Sequence, residues 1–213
     1  MKKRSAWIKC VFLLVAVMGF TLSGFAGDEI AGTTEVTGYY QQYRNFSFKT
    51  GDEYMDFSPA RIGGGGFSVA QNIADWFAIW SQLSIYGTKT QVFDVPIGWG
   101  TSFQYENKVR VINNLEGIRY QTKLHGPFRF YVKGGVGFTY YNFTFGRYGD
   151  VGASGTKFSA GYGGGTDIWF NRNIGIVFDV SHIVMGLPNL TDLPGRESFD
   201  SGLTYTTGLT IRF

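Results

Sequence analysis

The chain has 213 residues, of which 31 are glycine and only 5 proline, a balance unlike that of a disordered linker. Its formal net charge is +3, and the four cations Lys2, Lys3, Arg4 and Lys9 all lie in the first nine residues. Without that segment the charge is +3 − 4 = −1, so nothing in the charge supports nucleic-acid binding.

Behind those cations an uncharged run from Cys10 to Phe20 leads to small residues and Gly24-Phe25-Ala26. A basic start, a short apolar core and a small-x-small site describe a secretory signal peptide over 1–26, cleaved after Ala26. A membrane-spanning helix would need about 20 apolar residues, and Thr21, Ser23 and Gly24 interrupt the run too early. Cys10, the only cysteine, precedes the apolar core, so it is no lipoprotein anchor. An exported chain without a disulfide must be held by burial or by lipid. Its length suits one domain, expected over 27–213 with nothing beyond it.

A first strand is predicted over Glu35 to Phe48, rich in Tyr39, Tyr40 and Tyr43, with no clear register. A second runs from about Pro59 to Gln71 through Gly63–Gly66. Four glycines suggest a phosphate loop only when Lys-Ser/Thr and a helix follow, and neither does, so they read as strand glycines. Asn72-Ile73-Ala74 is predicted as a turn. The third strand, Asp75 to Gly87, sets Phe77, Ile79, Leu83 and Ile85 against Trp76, Trp80, Gln82, Ser84 and Tyr86. Thr88 to about Asn107 reads as a long loop. The fourth strand spans Lys108 to Leu124, with a membrane section from Leu115.

His125-Gly126-Pro127 is a tight turn. The fifth strand alternates Phe128, Phe130, Val132, Val136, Phe138 and Tyr140 with Arg129, Tyr131, Lys133, Gly135, Gly137 and Thr139. Phe145 to Gly155 reads as loop. The sixth strand, Thr156 to Phe170, sets Phe158, Tyr162 and Ile168 against Gly161, Gly163, Gly165 and Asp167. Asn171-Arg172-Asn173 turns the chain. The seventh strand opposes Ile174, Ile176, Phe178 and Val180 to Gly175, Asp179 and Ser181, and Gly186 to Asp200 is a loop. The last strand has Leu203, Tyr205, Thr207, Leu209, Ile211 and Phe213 on one face and Thr204, Thr206, Gly208, Thr210 and Arg212 on the other.

That makes eight strands whose connections alternate long and short. Such a layout, with an 18% aromatic content, predicts an all-β, eight-stranded antiparallel up-and-down transmembrane β-barrel with both termini on the short-turn side. A β-sandwich gives a similar strand count but no reason for the alternation. The non-apolar faces of the later strands carry Arg129, Lys133, Asp167, Asp179 and Arg212. Brought into one narrow lumen these must pair, with Asp167 or Asp179 as partners for Arg212, so a plugged interior without an open pore is expected.

Three stretches carry a family likeness: Phe130-Tyr131-Val132-Lys133-Gly134-Gly135-Val136-Gly137, Gly161-Tyr162-Gly163-Gly164-Gly165 followed by Asp167, and the Gly208-Leu209-Thr210-Ile211-Arg212-Phe213 ending. With the leader they make the chain resemble the small bacterial outer-membrane β-barrels related to the OmpA/OmpX-type membrane domain. The resemblance implies export through the periplasm to the outer membrane. It also implies assembly by the insertion machinery, read from a terminal-strand signal here formed by Tyr205, Leu209, Ile211 and Phe213. The partners it implies are lipid and lipopolysaccharide, with a monomer expected, and no single activity follows.

Three readings compete with a scaffold that displays its loops, chiefly Thr88–Asn107 and Gly186–Asp200. A lipid A deacylase-like barrel would want His-x-Ser-Asn. Here His182 is followed by Ile183, Val184 and Met185, and Ser181 points to the other face of the strand. A secreted lipocalin-like barrel would carry its apolar set inside. A narrow pore is the remaining alternative. No catalytic residue, cofactor or metal cluster is read from the chain, and His125 lies alone in a turn. Three Asn-x-Ser/Thr triplets, at Asn45, Asn142 and Asn189, are no more than chance supplies.

Overall fold

The computed structural model describes residues 30–44, 61–96, 102–122, 127–145, 151–186 and 199–213. The predicted leader, residues 45–48 of the first strand, part of the turn around His125 and most of the last loop lie outside them. Eight strands follow in order: β1 Thr34–Arg44, β2 Arg61–Ala74, β3 Phe77–Pro96, β4 Ser102–Gln121, β5 Phe128–Phe145, β6 Val151–Trp169, β7 Ile174–Gly186 and β8 Phe199–Arg212. Each pairs antiparallel with its neighbours, and β1 pairs with β8 from Glu35↔Arg212 to Tyr43↔Thr204, which closes the barrel. The last pair is sealed by Phe213 N–H donating to the Thr34 carbonyl at 2.9 Å and Thr34 N–H to that of Phe213 at 3.2 Å.

Alternation then sorts the side chains, but the usual preference is inverted. Phe130, Val132, Val136 and Phe138 on β5 are each more than half exposed, while Arg129 and Thr139 on the same strand are fully buried. A large exposed apolar surface on all sides of a closed barrel is what a lipid-facing wall requires. Aromatics gather at the short-turn end, where Trp76 stacks on Tyr120 with centroids 6.0 Å apart and Phe77 leans on both. Phe138 and Phe158 meet edge to face higher on the wall.

Two short connections are placed differently or defined further. The strand β2 runs on through Asn72-Ile73-Ala74, and the turn falls on Asp75 and Trp76, with a register irregularity between Asn72 and Ala74. Trp76 is therefore an interfacial turn residue, not part of the inward face of β3. The β6–β7 turn is built by Asn171, whose Oδ1 accepts from the N–H groups of Asn173 and Ile174, both at 2.8 Å.

The predicted loops shrink more. β3 and β4 stay paired up to Pro96↔Ser102, so most of Thr88–Asn107 is a hairpin extension. Val151–Gly155 likewise belongs to β6, and β8 begins at Phe199. The β3–β4 ladder shifts between Tyr86 and Lys89, just above Gly64↔Tyr86, the last described β2–β3 pair. From that level four strands, β3 to β6, rise above the barrel body. On β4 the outward Ile112 pairs with Ile85 and Tyr140.

Inward glycines leave space for rings. A Cβ on Gly165 would meet the Phe178 backbone carbonyl oxygen first and sit 2.7 Å from the Tyr131 hydroxyl oxygen, whereas one on Gly38 meets nothing within 4 Å. Gly165→Val should therefore destabilise the barrel by about 1–3 kcal/mol through overpacking. Gly38→Ala should stay within about 0.5 kcal/mol of the parent. Guanidinium unfolding of the refolded protein in lipid measures both.

Candidate functional site: a charged core inside the barrel

The second residue of β5, Arg129, points inward at the short-turn end and is fully buried. Its Nη1 and Nη2 donate to the two carboxylate oxygens of Glu35 on β1, at 2.7 and 2.6 Å. Its Nε and Nη2 donate to Asp167 Oδ2 on β6, at 2.9 and 2.5 Å. One guanidinium thus ties three strands together, using the forked donor set that only arginine offers.

Two more guanidiniums complete the cluster. Arg119 on β4 donates from Nη2 to Asp167 Oδ2 and holds Nη1 3.7 Å from Glu35 Oε2. Arg212 on β8 donates from Nε to Glu35 Oε1 at 3.0 Å. Its partner is therefore Glu35, directly opposite in the closing ladder, and not the Asp167 or Asp179 expected from sequence. Asn72 on β2 donates to the same Oε1 at 3.1 Å and accepts from Gln121 at 2.8 Å.

Three cations face two carboxylates here, and aromatic faces meet the excess. The Arg212 guanidinium carbon lies 3.8 Å from the centroid of Trp169, whose ring also faces Arg129 at 5.1 Å. Arg119 lies 4.0 Å over Tyr131. Such contacts strengthen when desolvated, as these are.

A second layer sits above the first. Lys133 Nζ is 3.2 Å from Asp179 Oδ2, which also accepts from the Tyr131 hydroxyl at 3.0 Å, while Ser181 donates to Oδ1 at 2.5 Å. Lys133 further donates to Gln82 Oε1 at 3.3 Å and lies 5.0 Å over Trp80. Through Ser84 the chain of bonds reaches Gln41, Tyr39 and Tyr86. Arg119 and Lys133 are ladder partners of like charge, yet each turns to a different carboxylate. A void of about 10 Å³ beside Lys133, Trp80, Leu115 and Ser181 is about the size of one water.

Towards the loop end the lumen changes character. Tyr43, Tyr86, Val111, Tyr141, Ile183 and Met185 form a buried cluster, so the interior is not charged throughout. Asn113 bridges to Thr139 at 2.6 Å and Ser159 at 3.1 Å beneath it.

All five predicted lumen residues, Arg129, Lys133, Asp167, Asp179 and Arg212, lie inside and in two adjoining groups. Glu35 and Arg119 were missed. Glu35 stands in a strand whose alternation is obscured by tyrosines and glutamines on both faces. Arg119 shares parity with Asn113 and Leu115, a signal that polar residues at both parities of β4 hide. Tyr205, Leu209, Ile211 and Phe213 all face outward, 38 to 73% exposed. Ser181 points into the lumen, whereas His182 faces out beside Tyr162, with ring centroids 5.3 Å apart.

Removing one member of such a network leaves buried charge without a partner. Glu35→Gln strips Arg212 of its carboxylate and should cost about 3–5 kcal/mol. Adding Arg212→Met, which removes the stranded guanidinium, should recover much of that loss, a non-additivity that unfolding of the single and double variants measures.

The comparisons with known proteins agree with this architecture. The attachment invasion locus protein of Yersinia pestis superposes with a TM-score of 0.52 at 15% identity, covering 85% of this chain and 98% of that one. OprG of Pseudomonas aeruginosa gives 0.53 at 13%, covering 86% and 96%. The N-terminal β-barrel domain of OprF from the same organism gives 0.50 at 15%, covering 86% and 98%. Identities this low establish the fold alone. No individually curated protein matches the sequence. The model of the outer membrane protein beta-barrel domain matches residues 12–213, nearly the whole chain. With its closed eight-stranded barrel and apolar outer wall, the chain belongs to the outer membrane protein beta-barrel domain family.

Proposed function

We propose that this protein is a membrane scaffold of the bacterial outer membrane, reached through the periplasm, that carries its loop-side segments at the cell surface and conducts no large solutes. The observation that carries the reading is Arg129, fully buried and bonded to both Glu35 and Asp167 across the lumen. Eight strands leave an interior just wide enough for side chains, and these side chains cross it. The long β3–β6 extension then takes the place of the predicted loop as the surface offered to partners, since scaffolded loop-side segments commonly carry binding. The opposite facings of Ser181 and His182 favour a protein without hydrolase activity, because a nucleophile needs its base within hydrogen-bond reach.

The outward row Tyr205, Leu209, Ile211 and Phe213 serves, in this reading, as the signal for the insertion machinery. Planar-bilayer recordings should show no large, stable conductance steps for the parent protein, and Arg129→Ala combined with Arg119→Ala should introduce them. Large steps from the parent would overturn the plug. Deleting Phe213 should lower the outer-membrane level several-fold while costing protein refolded in vitro no more than about 3 kcal/mol, the worth of an exposed side chain and its two backbone hydrogen bonds to Thr34. Normal membrane levels of the shortened chain would refute the signal.

A further inference from the structure

The outward set of β4 departs from the apolar pattern of the wall. It reads Tyr120, Ile118, Glu116, Asn114, Ile112, with polar residues in the centre and apolar ones at both ends. Glu116 lies five residues from the Gln121 end of β4. At about 3.3 Å per residue and a tilt of about 40°, that is about 13 Å into an apolar band about 25 Å tall. Its ladder neighbours are Ser81 on β3 and Val136 on β5, the latter 55% exposed to the same side. Among the described residues no ion pair or side-chain hydrogen bond engages Glu116. The adjacent Asn114 has its Oδ1 shielded from solvent and without a partner.

An ionisable group facing hydrocarbon is costly, and it marks a place where something other than lipid is met. We propose that the β3–β4 wall is the interface of a dimer of this chain within the membrane. Ser81 and Glu116 stand directly opposite each other in the ladder. A twofold axis parallel to the barrel axis and passing between them brings Glu116 of each copy to Ser81 of the other. Each Ser81 hydroxyl then donates to a carboxylate oxygen across the interface, and Asn114 stands two residues further along the same face. This donor–acceptor pair complements itself, which alkyl chains cannot do and an unrelated partner has no need to match.

The local shape agrees. Ser81 is small, and Gly134, the ladder partner of Ile118, leaves a shallow place where an added Cβ would meet nothing nearer than 3.9 Å. Small residues let two walls approach closely in a bilayer. The far wall carries Phe158, Tyr162, Phe178, Val180 and Leu209, 45 to 65% exposed, and suits lipid.

The test uses the full chain, processed as it is in the cell, reconstituted in liposomes and counted by single-molecule photobleaching as protein density rises. The parent should pass from one bleaching step to two. Glu116→Leu should weaken the association at least ten-fold while the heat-shifted gel mobility of the folded barrel is unchanged. In a second arm, chains carrying Ile79→Cys and Ile118→Cys, the neighbouring outward ladder pair that the same axis brings together, are mixed and oxidised with Ser81 and Glu116 intact. A disulfide-linked dimer should form from the mixture, and far less from a Val180→Cys control. A parent that stays monomeric at every density, a dimer indifferent to Glu116→Leu, or equal linking by the control would each overturn the proposal. So would a different protein co-purifying through Glu116 in place of the second copy.

Discussion

A strand crossing hydrocarbon has no water to satisfy its backbone, so each N–H and C=O must find a partner inside the protein. The β1–β8 ladder meets that demand here, because it turns an open sheet of eight strands into one without an edge. Closure has a second consequence. It fixes the lumen at a width that side chains fill, and thereby brings residues from β1, β4, β5, β6 and β8 within bonding distance of one another. The charged core is therefore a product of closure as much as of sequence. Glu35 and Arg212, near the two ends of the described chain, meet only because the terminal strands pair.

The core in turn bears on the closing ladder. Burying a charge is expensive unless it is paired and hydrogen-bonded, and each carboxylate here accepts from more than one guanidinium. Slipping β8 by one residue along β1 would send Arg212 into the lipid and an isoleucine or phenylalanine into the lumen. Side-chain chemistry thus selects the register that the backbone ladder alone leaves open. The aromatic faces of Trp169 and Tyr131 matter for the same reason, since they meet guanidinium charge left over by a three-to-two count.

How much of this was legible in the sequence depended on whether the two faces of a strand differ. On β5, β7 and β8 bulky apolar residues alternate with charged or small ones, and parity alone placed Arg129, Lys133, Asp179 and Arg212 inside. On β1 aromatics and amides occupy both parities, so Glu35 passed unnoticed. On β2 the run Gly63–Gly66 has no side chains to alternate. β4 carries Asn113 inward and Asn114 and Glu116 outward, which masked Arg119. The stretch Thr88–Asn107 looked like a loop because Pro96, Gly98 and Gly100 interrupt it and no apolar alternation marks its strands. Its pairing is written in the backbone ladder and not in composition. The shift of the turn from Asn72–Ala74 to Asp75–Trp76 has a similar cause: Asn72 resembles a turn residue, but its amide is recruited by Glu35 and Gln121 inside the barrel.

The two carboxylates Glu35 and Glu116 show what the barrel does with one chemistry on its two sides. Inward, Glu35 accepts hydrogen bonds from Arg129, Arg212 and Asn72, supplied by three different strands. Outward, Glu116 stands between Ser81 and Val136 in the ladder and, among the described residues, no hydrogen bond or ion pair engages it. A lumen can gather donors from all round its circumference because every strand faces the same axis. A convex outer wall cannot, since neighbouring strands splay their side chains apart. A polar group on that wall is therefore satisfied from outside the barrel or not at all, and for this reason the outward residues that break the apolar pattern say more about the protein's associations than the larger number of charges enclosed within it.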